Sequence, residues 1–378
     1  MRILQLGKFY PIRGGVEKVM WDLTRGLDAA GVSCDMLCAS TDLSETDVKD
    51  IAFADGDGQF RFPGGGRVIR VKACKKVAAT MISPSMVRYL RRHKAEYDII
   101  HVHHPDPMAA LALRRSRFKG KVVLHWHSDI LSQKALLRLY RPLQSWLIRR
   151  ADVIVGTTPV YLAESPWLQA VQDKCKAVPI GIEPVVFDAE SAAVMRKRFP
   201  GKKILLSVGR LVPYKGISYL VDAMKHLPED YHLVIGGSGP LKEDLRRQIE
   251  NGGLGGKVSL IGYVPDDDLP SWYGACDIFV LPSVMKTEAF GIVQIEAMSC
   301  GRPVVTTKIP ASGVSWVNKD GVSGINVEPK DPEALAKAIL AVSKDWDRLS
   351  EGARALFIER YTIDNMINQI KAIYEALC

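Results

Sequence analysis

Residues 287–301, TEAFGIVQIEAMSCG, decide the fold because they join a buried strand to a helix. The apolar run IFVLPS at residues 278–283 is typical of a strand buried on both faces of a parallel sheet. The apolar face of the residues that follow predicts a helix beginning just after Gly291. The amides of Phe290, Gly291 and Ile292 should then lie unpaired at the carboxyl end of the strand, where a helix N-terminus attracts phosphate.

Two carboxylates flank this predicted phosphate site. Glu288 lies on the loop and Glu296 one turn into the helix, with seven residues between them. A carboxylate gains nothing from a neighbouring phosphate, so we expect both to accept hydrogen bonds from neutral hydroxyls. The pattern fits a nucleotide sugar, with Glu288 at the hexose and Glu296 at the ribose. The alternative interpretation is an acidic pair that only favours the helix dipole.

The segment EAFGIVQIEAM resembles the E-x7-E element of retaining glycosyltransferases with the GT-B fold. Nearly the whole chain resembles glycosyltransferase family 4, because four further motifs occur in the family's order: GGVE at 14–17, HSD at 127–129, GRLVPYKG at 209–216 and GGSGP at 236–240. The resemblance implies an α/β protein of two facing, doubly wound Rossmann-like domains with the donor cleft between them. No single motif is specific, and a GT-B sugar-nucleotide epimerase shares the architecture.

The length of 378 residues fits two domains. We expect an acceptor-side domain at 1–187, joined by a C-terminal helix at 360–378, and a nucleotide-sugar domain at 188–359. The interdomain hinge is predicted near 183–190. The Asp- and Gly-rich segment 42–66 is predicted to be a mobile excursion between strands.

The second domain carries the predicted diphosphate site. Arg210 and Lys215 form the R-x4-K pattern of the family, and two permanent cations there can neutralise a diphosphate. The tight loop containing Gly239 lacks a third glycine at Lys242, which disfavours a dinucleotide-binding dehydrogenase. By resemblance, the main chain around Tyr263 and Val264 is expected to contact the base.

Two features of the first domain are also expected near the donor. Gly14 and Gly15 precede a helix and would let the backbone approach a ligand, although a simple loop is the alternative. By resemblance, His127 is expected beside the donor sugar and its phosphates. The alternative for His127 is a structural histidine with satisfied hydrogen bonds.

Five of the eight histidines stand at the ends of two predicted strands, HVHH at 101–104 and HWH at 125–127. Alternation along a strand sends His101 and His103 to one face and His104 to the other, and no carboxylate or cysteine cluster completes a metal site. The seven cysteines are scattered without CxxC pairs, which indicates reduced thiols and no structural zinc. We therefore expect no metal and no cofactor.

The net charge of +9 is concentrated in residues 72–150, which hold 17 Lys and Arg against 4 Asp and Glu. The segment LLRLYRPLQSWLIRR at 136–150 mixes Leu, Tyr and Trp with Arg at helical spacing, which favours contact with an anionic membrane surface. Solvated helix faces are the alternative, and nucleic acid is disfavoured because base-stacking motifs are absent. Without an 18-residue apolar run or a signal-peptide core, we expect a cytoplasmic protein, with peripheral attachment to the inner membrane face as a second hypothesis.

The resemblance implies metal-independent hexosyl transfer with retention at the anomeric carbon. GDP-mannose is preferred as donor over a UDP-hexose, and the expected acceptor is a lipid-linked, polysaccharide or lipopolysaccharide precursor. The residues expected to carry the reaction are His127, Arg210, Lys215 and Glu288. The rival hypotheses are the GT-B epimerase and a non-catalytic sugar-binding scaffold.

Overall fold

The computed structural model describes residues 1–9, 14–43, 53–54, 60–77, 80–130 and 134–378. The chain divides into two compact units. Unit 1 comprises Met1–Gly181 together with Ile363–Cys378, and unit 2 comprises Ile182–Thr362. Each unit is built around its own, mainly parallel β-sheet.

The sheet of unit 1 has apolar central strands that are buried on both faces, as expected for a parallel sheet covered by helices. Its strands are β1 (Arg2–Phe9), β2 (Ser33–Ser40), β3 (Phe53–Ala54), β4 (Phe60–Arg61), β5 (Arg67–Lys72), β8 (Ile99–His104), β9 (Lys121–Trp126), β10 (Val153–Gly156) and β11 (Cys175–Ala177). A separate hairpin is formed by β6 (Lys75–Val77) and β7 (Thr80–Ile82).

The strand order of this sheet is β11-β10-β9-β8-β1-β2-β5-β4-β3. All described pairs are parallel except β3 with β4 and β4 with β5. Much of the predicted excursion at 42–66 lies outside the described residues. The α-helices described in unit 1 up to its last strand are α1 (Gly15–Ala29), α2 (Pro84–His93), α3 (Pro107–Ser116), α4 (Lys134–Arg150) and α5 (Pro159–Ala163).

The sheet of unit 2 is entirely parallel and has the order β14-β13-β12-β15-β16-β17. Its strands are β12 (Lys203–Val208), β13 (Tyr231–Gly236), β14 (Val258–Gly262), β15 (Ile278–Leu281), β16 (Val304–Thr307) and β17 (Gly324–Val327). Counted from the first strand of the unit, this is the 3-2-1-4-5-6 order of a Rossmann domain.

Eight α-helices of unit 2 are described: α6 (Ala189–Lys197), α7 (Ile217–Ala223), α8 (Lys242–Asn251), α9 (Leu269–Ala275), α10 (Ile292–Ser299), α11 (Val314–Val317), α12 (Pro332–Lys344) and α13 (Trp346–Arg360). Helices α7, α8, α12 and α13 bury apolar residues against the sheet, in a core that includes Leu205, Leu220, Ile278 and Ile339. A Rossmann sheet binds ligands at the carboxyl ends of its strands where the order reverses. In unit 2 this point lies between β12 and β15.

The last helix, α14 (Ile363–Glu375), belongs to unit 1. It packs against α1 so closely that a Cβ on Gly26 would lie 2.6 Å from Cδ1 of Ile367. The hydroxyl of Tyr374 on α14 accepts a hydrogen bond of 2.9 Å from Nε2 of Gln5 on β1. The end of the chain therefore completes the interior of unit 1.

The described helices are too short or too polar to span a bilayer. None of them combines the length and the apolar composition needed to cross a membrane.

Candidate active site

The switch point of unit 2 brings together the loops that follow β12 and β15. Lys215 ends a short helical turn after β12, and Glu288 lies on the loop after β15. Nζ of Lys215 is 2.5 Å from Oε2 of Glu288, and their side chains are only 12% and 11% exposed. The hydroxyl of Ser283 donates a second hydrogen bond of 3.1 Å to the same oxygen. A carboxylate and a cation are thus held together at the strand ends, screened from most of the solvent.

Gly216 is what allows the β12 loop to pass so close to the β15 loop. Its φ of +65° lies in the left-handed region, and a Cβ there would lie 2.1 Å from the carbonyl oxygen of Pro282. Any other residue would push the two loops apart. The glycine therefore helps to set the separation of Lys215 and Glu288.

Arg210 lies on the same loop but is more exposed. One guanidinium nitrogen donates to the hydroxyl of Tyr214 at 3.0 Å. The site thus combines one largely buried cation with one exposed cation, and the exposed guanidinium can turn toward an anion without breaking a buried ion pair.

The start of α10 offers backbone donors beside these cations. Among the described residues, no acceptor takes the amide protons of Phe290, Gly291 or Ile292. Gly291 caps the helix with a φ of +75°, and a Cβ there would lie 2.6 Å from Cδ2 of Leu281. The geometry is that of an anion-binding helix N-terminus next to a lysine.

Glu296 lies in α10, and its carboxylate is held by a residue that the sequence did not reveal. The hydroxyl of Tyr273 on α9 donates to Oε2 of Glu296 at 2.6 Å. Burial, followed by the charge of Glu296, raises the pKa of Tyr273 well above its ordinary value, so this phenol remains a donor. Tyr273 stands next to Trp272 in the segment LPSWYGA at 269–275, so it could not be told from a core aromatic residue in the sequence.

Gly239, Tyr263 and Val264 lie at the same edge of the unit 2 sheet. Gly239 is in the loop after β13, and a Cβ there would lie 2.4 Å from the carbonyl oxygen of Leu211. Tyr263 follows β14 with a side chain that is 71% exposed, whereas Val264 is only 9% exposed. The edge therefore presents the paired charges of Lys215 and Glu288 at the switch point and an exposed aromatic ring two strands away, after β14.

The candidate residues of unit 1 lie at the carboxyl edge of its own sheet. Gly14 caps the N-terminus of α1 and Gly15 is the first helical residue. The carboxylate of Glu17 folds back over Gly14, where an added Cβ would lie 2.3 Å from Oε2. Residues 10–13 of this loop lie outside the described part of the chain.

Four imidazoles form a stack beside β1. His101 and His103 come from β8, and His125 and His127 from β9 and the residue after it; neighbouring ring centroids are 4.0–5.3 Å apart, with planes within 9–23° of parallel. The stack arises because β8 and β9 pair with His103 opposite His125. The two H-x-H patterns at the ends of consecutive strands were the available sequence signal. His104 points away and stacks on Trp126 at 3.8 Å.

A chain of hydrogen bonds runs through this histidine stack. Nε2 of His103 lies 2.8 Å from Oε1 of Gln5, so His103 must donate there and its Nδ1 must accept. That Nδ1 lies 2.9 Å from Nε2 of His127, which is therefore the donor. The amide orientation of Gln5 is held in turn by Tyr374. His127 is left with Nδ1 as a hydrogen-bond acceptor.

Ligand nitrogens of His103, His125 and His127 all lie within 4.8 Å of one another, a grouping of three that strand alternation alone did not predict. Their geometry does not suit a metal. Each ligating imidazole must have the ion in its own ring plane, and nearly parallel stacked rings place their lone pairs in separate planes. Two of these nitrogens are also occupied by the His103–His127 hydrogen bond.

The histidine stack should make folding sensitive to acid. Burial, the largest cause in each case, lowers the pKa of the four stacked histidines and of His104, and it lowers the pKa of His104 and of His125 to about 3. Below about pH 6.5 the unfolded chain binds protons that the folded chain does not bind. Each such histidine then lowers the free energy of unfolding by about 1.4 kcal/mol per pH unit. Stability is thus full above that pH and falls toward about pH 3.

Denaturant midpoints measured across this window check the expectation. Removing one buried site with His125→Leu should make the decline with falling pH less steep. His226 is exposed and outside the stack, so His226→Gln is the matched control and should keep the wild-type slope. Equal slopes for wild type and His125→Leu would show that His125 is not held neutral.

Each of the two units matches a known glycosyltransferase domain family. Residues 14–181 match the "Glycosyl transferase 4-like domain" model, and residues 192–356 match "Glycosyl transferases group 1". The chain is 33% identical to the O-antigen chain mannosyltransferase C of Escherichia coli, covering 100% of this chain and 99% of that protein. It is 29% identical to a phosphatidyl-myo-inositol mannosyltransferase of Mycobacterium leprae, covering 97% and 94%.

Among solved structures, the Anabaena protein Alr3699/HepE in complex with UDP superimposes with a TM-score of 0.76 at 22% identity, covering 100% of both chains. This likeness establishes the fold, and the full-length match to the Escherichia coli relative establishes the family. The chain is a glycosyltransferase with the GT-B fold and belongs to glycosyltransferase family 4.

Proposed function

We propose that this protein transfers a hexose, with retention and without a metal ion, from a nucleotide sugar to a lipid-linked, polysaccharide or lipopolysaccharide precursor. GDP-mannose is the preferred donor and a UDP-hexose the alternative. The observation that carries the proposal is the buried contact of Lys215 with Glu288 beside the free amides at the start of α10. This arrangement offers positive charge for a diphosphate and a carboxylate for hydroxyls in one place.

The diphosphate would be bound by Lys215, Arg210 and the amides of residues 290–292. These preorganised donors can stabilise the charge that develops as the bond between the anomeric carbon and the diphosphate breaks. Lys215 has three N–H donors, so it can hold a phosphate oxygen while keeping Glu288 in place. The main chain of Gly239 and of residues 263–264 would line the nucleoside end.

The sugar hydroxyls would be bound by acceptors whose partners fix their direction. Glu288 is anchored through Oε2, so its other oxygen can accept from the hexose. Glu296 is anchored by Tyr273 in the same manner and would accept from the ribose. In unit 1, Nδ1 of His127 is a further acceptor for a hexose hydroxyl, with Gly14 and Gly15 expected near the donor.

The reaction course that follows uses no enzymic base. The acceptor hydroxyl attacks the anomeric carbon on the face from which the diphosphate leaves, and its proton passes to a phosphate oxygen of the leaving group. Retention then results from a single-face displacement. Lys215 and Arg210 lower the barrier by stabilising the departing diphosphate rather than by moving a proton.

The donor and acceptor assignments draw on the relatives. Two proteins that match most of this chain are named as mannosyltransferases, one for an O-antigen chain and one for a phosphatidyl-inositol, which favours mannose and a lipid or glycan acceptor. The UDP in the Anabaena complex keeps a UDP-hexose as the alternative. An epimerase is not favoured, because these full-length relatives are transferases.

The proposed cytoplasmic membrane face is supported by a basic concavity in unit 1. A cavity of about 800 Å³ between α2 and α3 is lined by Arg91, Lys94, Arg114, Arg115 and Arg117, with Leu111 and Ser116 between them. Clustered cations of this kind attract anionic lipid head groups. Cosedimentation with phosphatidylglycerol vesicles but not with phosphatidylcholine vesicles would support this location, and equal sedimentation would contradict it.

A thermal-shift panel of nucleotide sugars tests the proposed function most directly. A ligand present at 100 times its Kd stabilises the folded protein by about 2.7 kcal/mol. GDP-mannose and GDP should raise Tm more than UDP-hexoses and UDP. A larger shift with the UDP series would correct the donor, and no shift with any nucleotide sugar would overturn the proposal. Release of free hexose or a C2 epimer without an acceptor would favour an epimerase.

Chelation is expected to leave turnover intact. Lys215, Arg210 and the α10 amides provide the positive charge that a metal would otherwise supply, and the stacked histidines do not converge on one ion. Activity should therefore be unchanged after EDTA treatment and gel filtration. A loss of turnover that Mg²⁺ or Mn²⁺ restores would contradict this prediction.

A further inference from the structure

The last helix, α14, places one hydroxyl against the polar interior of unit 1. That hydroxyl belongs to Tyr374, whose side chain is fully buried beside Gln5 of β1 and His101 of β8. Gln5 and His101 lie opposite each other where β1 pairs with β8, and both side chains reach Tyr374. The last helix therefore contributes directly to the hydrogen bonds around the histidine stack.

The single proton of the Tyr374 hydroxyl determines the direction of these hydrogen bonds. Nε2 of Gln5 donates to Tyr374 at 2.9 Å, so the phenolic proton is directed to Nδ1 of His101, 2.5 Å away. Burial raises the pKa of Tyr374 well above its ordinary value, so that proton is retained. With Nε2 of Gln5 facing Tyr374, Oε1 of Gln5 faces His103. Tyr374 thus fixes which end of the Gln5 amide contacts the stack.

His103 passes the orientation of Gln5 on to His127. Oε1 of Gln5 accepts from Nε2 of His103, and Nδ1 of His103 then accepts from Nε2 of His127. A neutral imidazole has one donor and one acceptor, so each hydrogen bond fixes the next tautomer. His127 is the most exposed ring of the stack, at 5% against 0–1% for the other three. The direction set in the interior therefore ends at the ring nearest to solvent.

The opposite direction would change what His127 can do. If the Gln5 amide were reversed, its Nε2 would donate to His103, and His103 would donate to His127. His127 would then carry its proton on Nδ1 and would be a donor at that atom. Both directions use the same pairs of atoms, so the hydrogen-bonding character of His127 depends on the group that holds Gln5.

We propose that Tyr374 is a positioning residue for hexosyl transfer, and that it keeps Nδ1 of His127 a hydrogen-bond acceptor through Gln5 and His103. The inference rests on the proposed function, in which that nitrogen accepts from a hexose hydroxyl. It gives the last helix a role in donor selection. A hexose that presents a hydroxyl to His127 is favoured over one that presents only an acceptor there.

The proton position can be measured without any substrate. In protein labelled with ¹⁵N at histidine, two-bond ¹⁵N–¹H spectra distinguish protonation at Nε2 from protonation at Nδ1, and His127→Ala identifies the His127 signals. The wild type should show His127 protonated at Nε2. In Tyr374→Phe, Nε2 of Gln5 keeps only Sγ of Cys34, 3.7 Å away, as an acceptor among the described residues. The reversed amide then becomes comparable in energy, and an Nδ1-protonated form of His127 should appear.

Kinetics show whether this proton position matters for transfer. Tyr374→Phe should lower kcat/KM by roughly 2- to 10-fold, the usual effect of one hydrogen bond. Affinity for the free nucleoside diphosphate should stay normal, because that ligand has no hexose. In the His127→Ala background, Tyr374→Phe should have no further effect on kcat/KM, because the residue that it positions is gone.

Donor analogues in which one hydroxyl at a time is replaced by fluorine test the selectivity, because fluorine cannot donate to His127. One analogue should be a poor donor for the wild type and should lose that penalty in His127→Ala. Tyr374→Phe should reduce the same penalty, since part of its population can donate from Nδ1. The electronic effect of fluorine cancels when one analogue is compared between variants. Equal penalties in wild type and Tyr374→Phe would contradict the selectivity.

Ile370→Val is the matched control for lost packing, because Ile370 is also fully buried on α14 and the change removes one methyl group. It should lower Tm without changing the His127 signals or kcat/KM. His127 signals in Tyr374→Phe identical to those of the wild type would overturn the proposal. So would additive losses of kcat/KM in the double variant of Tyr374 and His127, which would show that Tyr374 acts through packing alone.

The spectra and the kinetics separate this inference from the proposed function. An Nδ1-protonated His127 in Tyr374→Phe, in a protein that transfers hexose from no nucleotide sugar, would reject the proposed function and retain the role of Tyr374 in placing the proton. Transfer by the wild type, together with an unchanged tautomer in Tyr374→Phe, would retain the proposed function and reject the role of Tyr374.

Discussion

Replacing Lys215 with alanine is expected to lower kcat/KM for hexosyl transfer by on the order of 10²-fold or more. Lys215 is a largely buried cation at the strand ends, and its 2.5 Å contact with Glu288 places the ammonium before any ligand binds. Without it, the charge on the departing diphosphate would be stabilised only by Arg210 and the α10 amides. Arg210→Ala should act in the same direction. Initial rates at varied donor concentration measure both effects.

The Lys215→Ala variant needs a control because it also removes the partner of a largely buried carboxylate. Lys225, an exposed lysine paired with Asp222, is the matched control, and Lys225→Ala should keep wild-type kinetics. Lys215→Arg keeps the charge, so a similar Tm with reduced turnover would show that ammonium placement matters beyond stability. Unchanged kcat/KM in both Lys215→Ala and Arg210→Ala would remove these cations from the site.

Glu288→Gln is expected to lower kcat, whereas Glu296→Gln is expected to weaken nucleoside diphosphate binding. Glu288→Gln removes charge-assisted acceptance at the hexose, so kcat should fall while affinity for the free nucleoside diphosphate stays nearly normal. Glu296→Gln should weaken the same nucleoside diphosphate by roughly 1–3 kcal/mol if a hydrogen bond to the ribose is lost. Calorimetric titration of both variants with the nucleoside diphosphate alone separates these roles.

Tyr273→Phe extends this test to the residue that holds Glu296. It leaves the carboxylate intact and removes only the 2.6 Å hydrogen bond that orients it. Nucleoside diphosphate affinity should fall as in Glu296→Gln but by less, and Glu288→Gln should not share the effect. Equal affinity losses in the two glutamate variants, or a larger loss in Glu288→Gln, would show that the two ends of the donor are assigned the wrong way round.

The sequence predicts local features of this protein well because local chemistry determines them. The apolar run at 278–283 indicated a buried strand, which extends over Ile278–Leu281, and Gly291 was predicted at a helix start where the structure has its cap. The family motifs led to the GT-B fold. These features depend on residues within one strand, loop and helix.

Features that depend on strand pairing could not be predicted from local sequence. The contact of Lys215 with Glu288 requires β12 and β15 to be neighbours, and the order of strands in a sheet is not written in any local pattern. The histidine stack requires the pairing of His103 with His125. Gln5 and Tyr374, which fix the proton positions in that stack, are 369 residues apart in sequence.

The return of α14 to unit 1 has a consequence for biosynthesis. Unit 2 is one continuous segment, Ile182–Thr362, whereas unit 1 lacks residues 363–378 until the last part of this sequence has been made. During translation unit 2 can therefore fold first. Gln5 and His101 lack their hydrogen-bond partner until Tyr374 has been synthesised. Unit 1 is therefore synthesised first but completed last. Until α14 packs, residues that will form its interior remain accessible to chaperones.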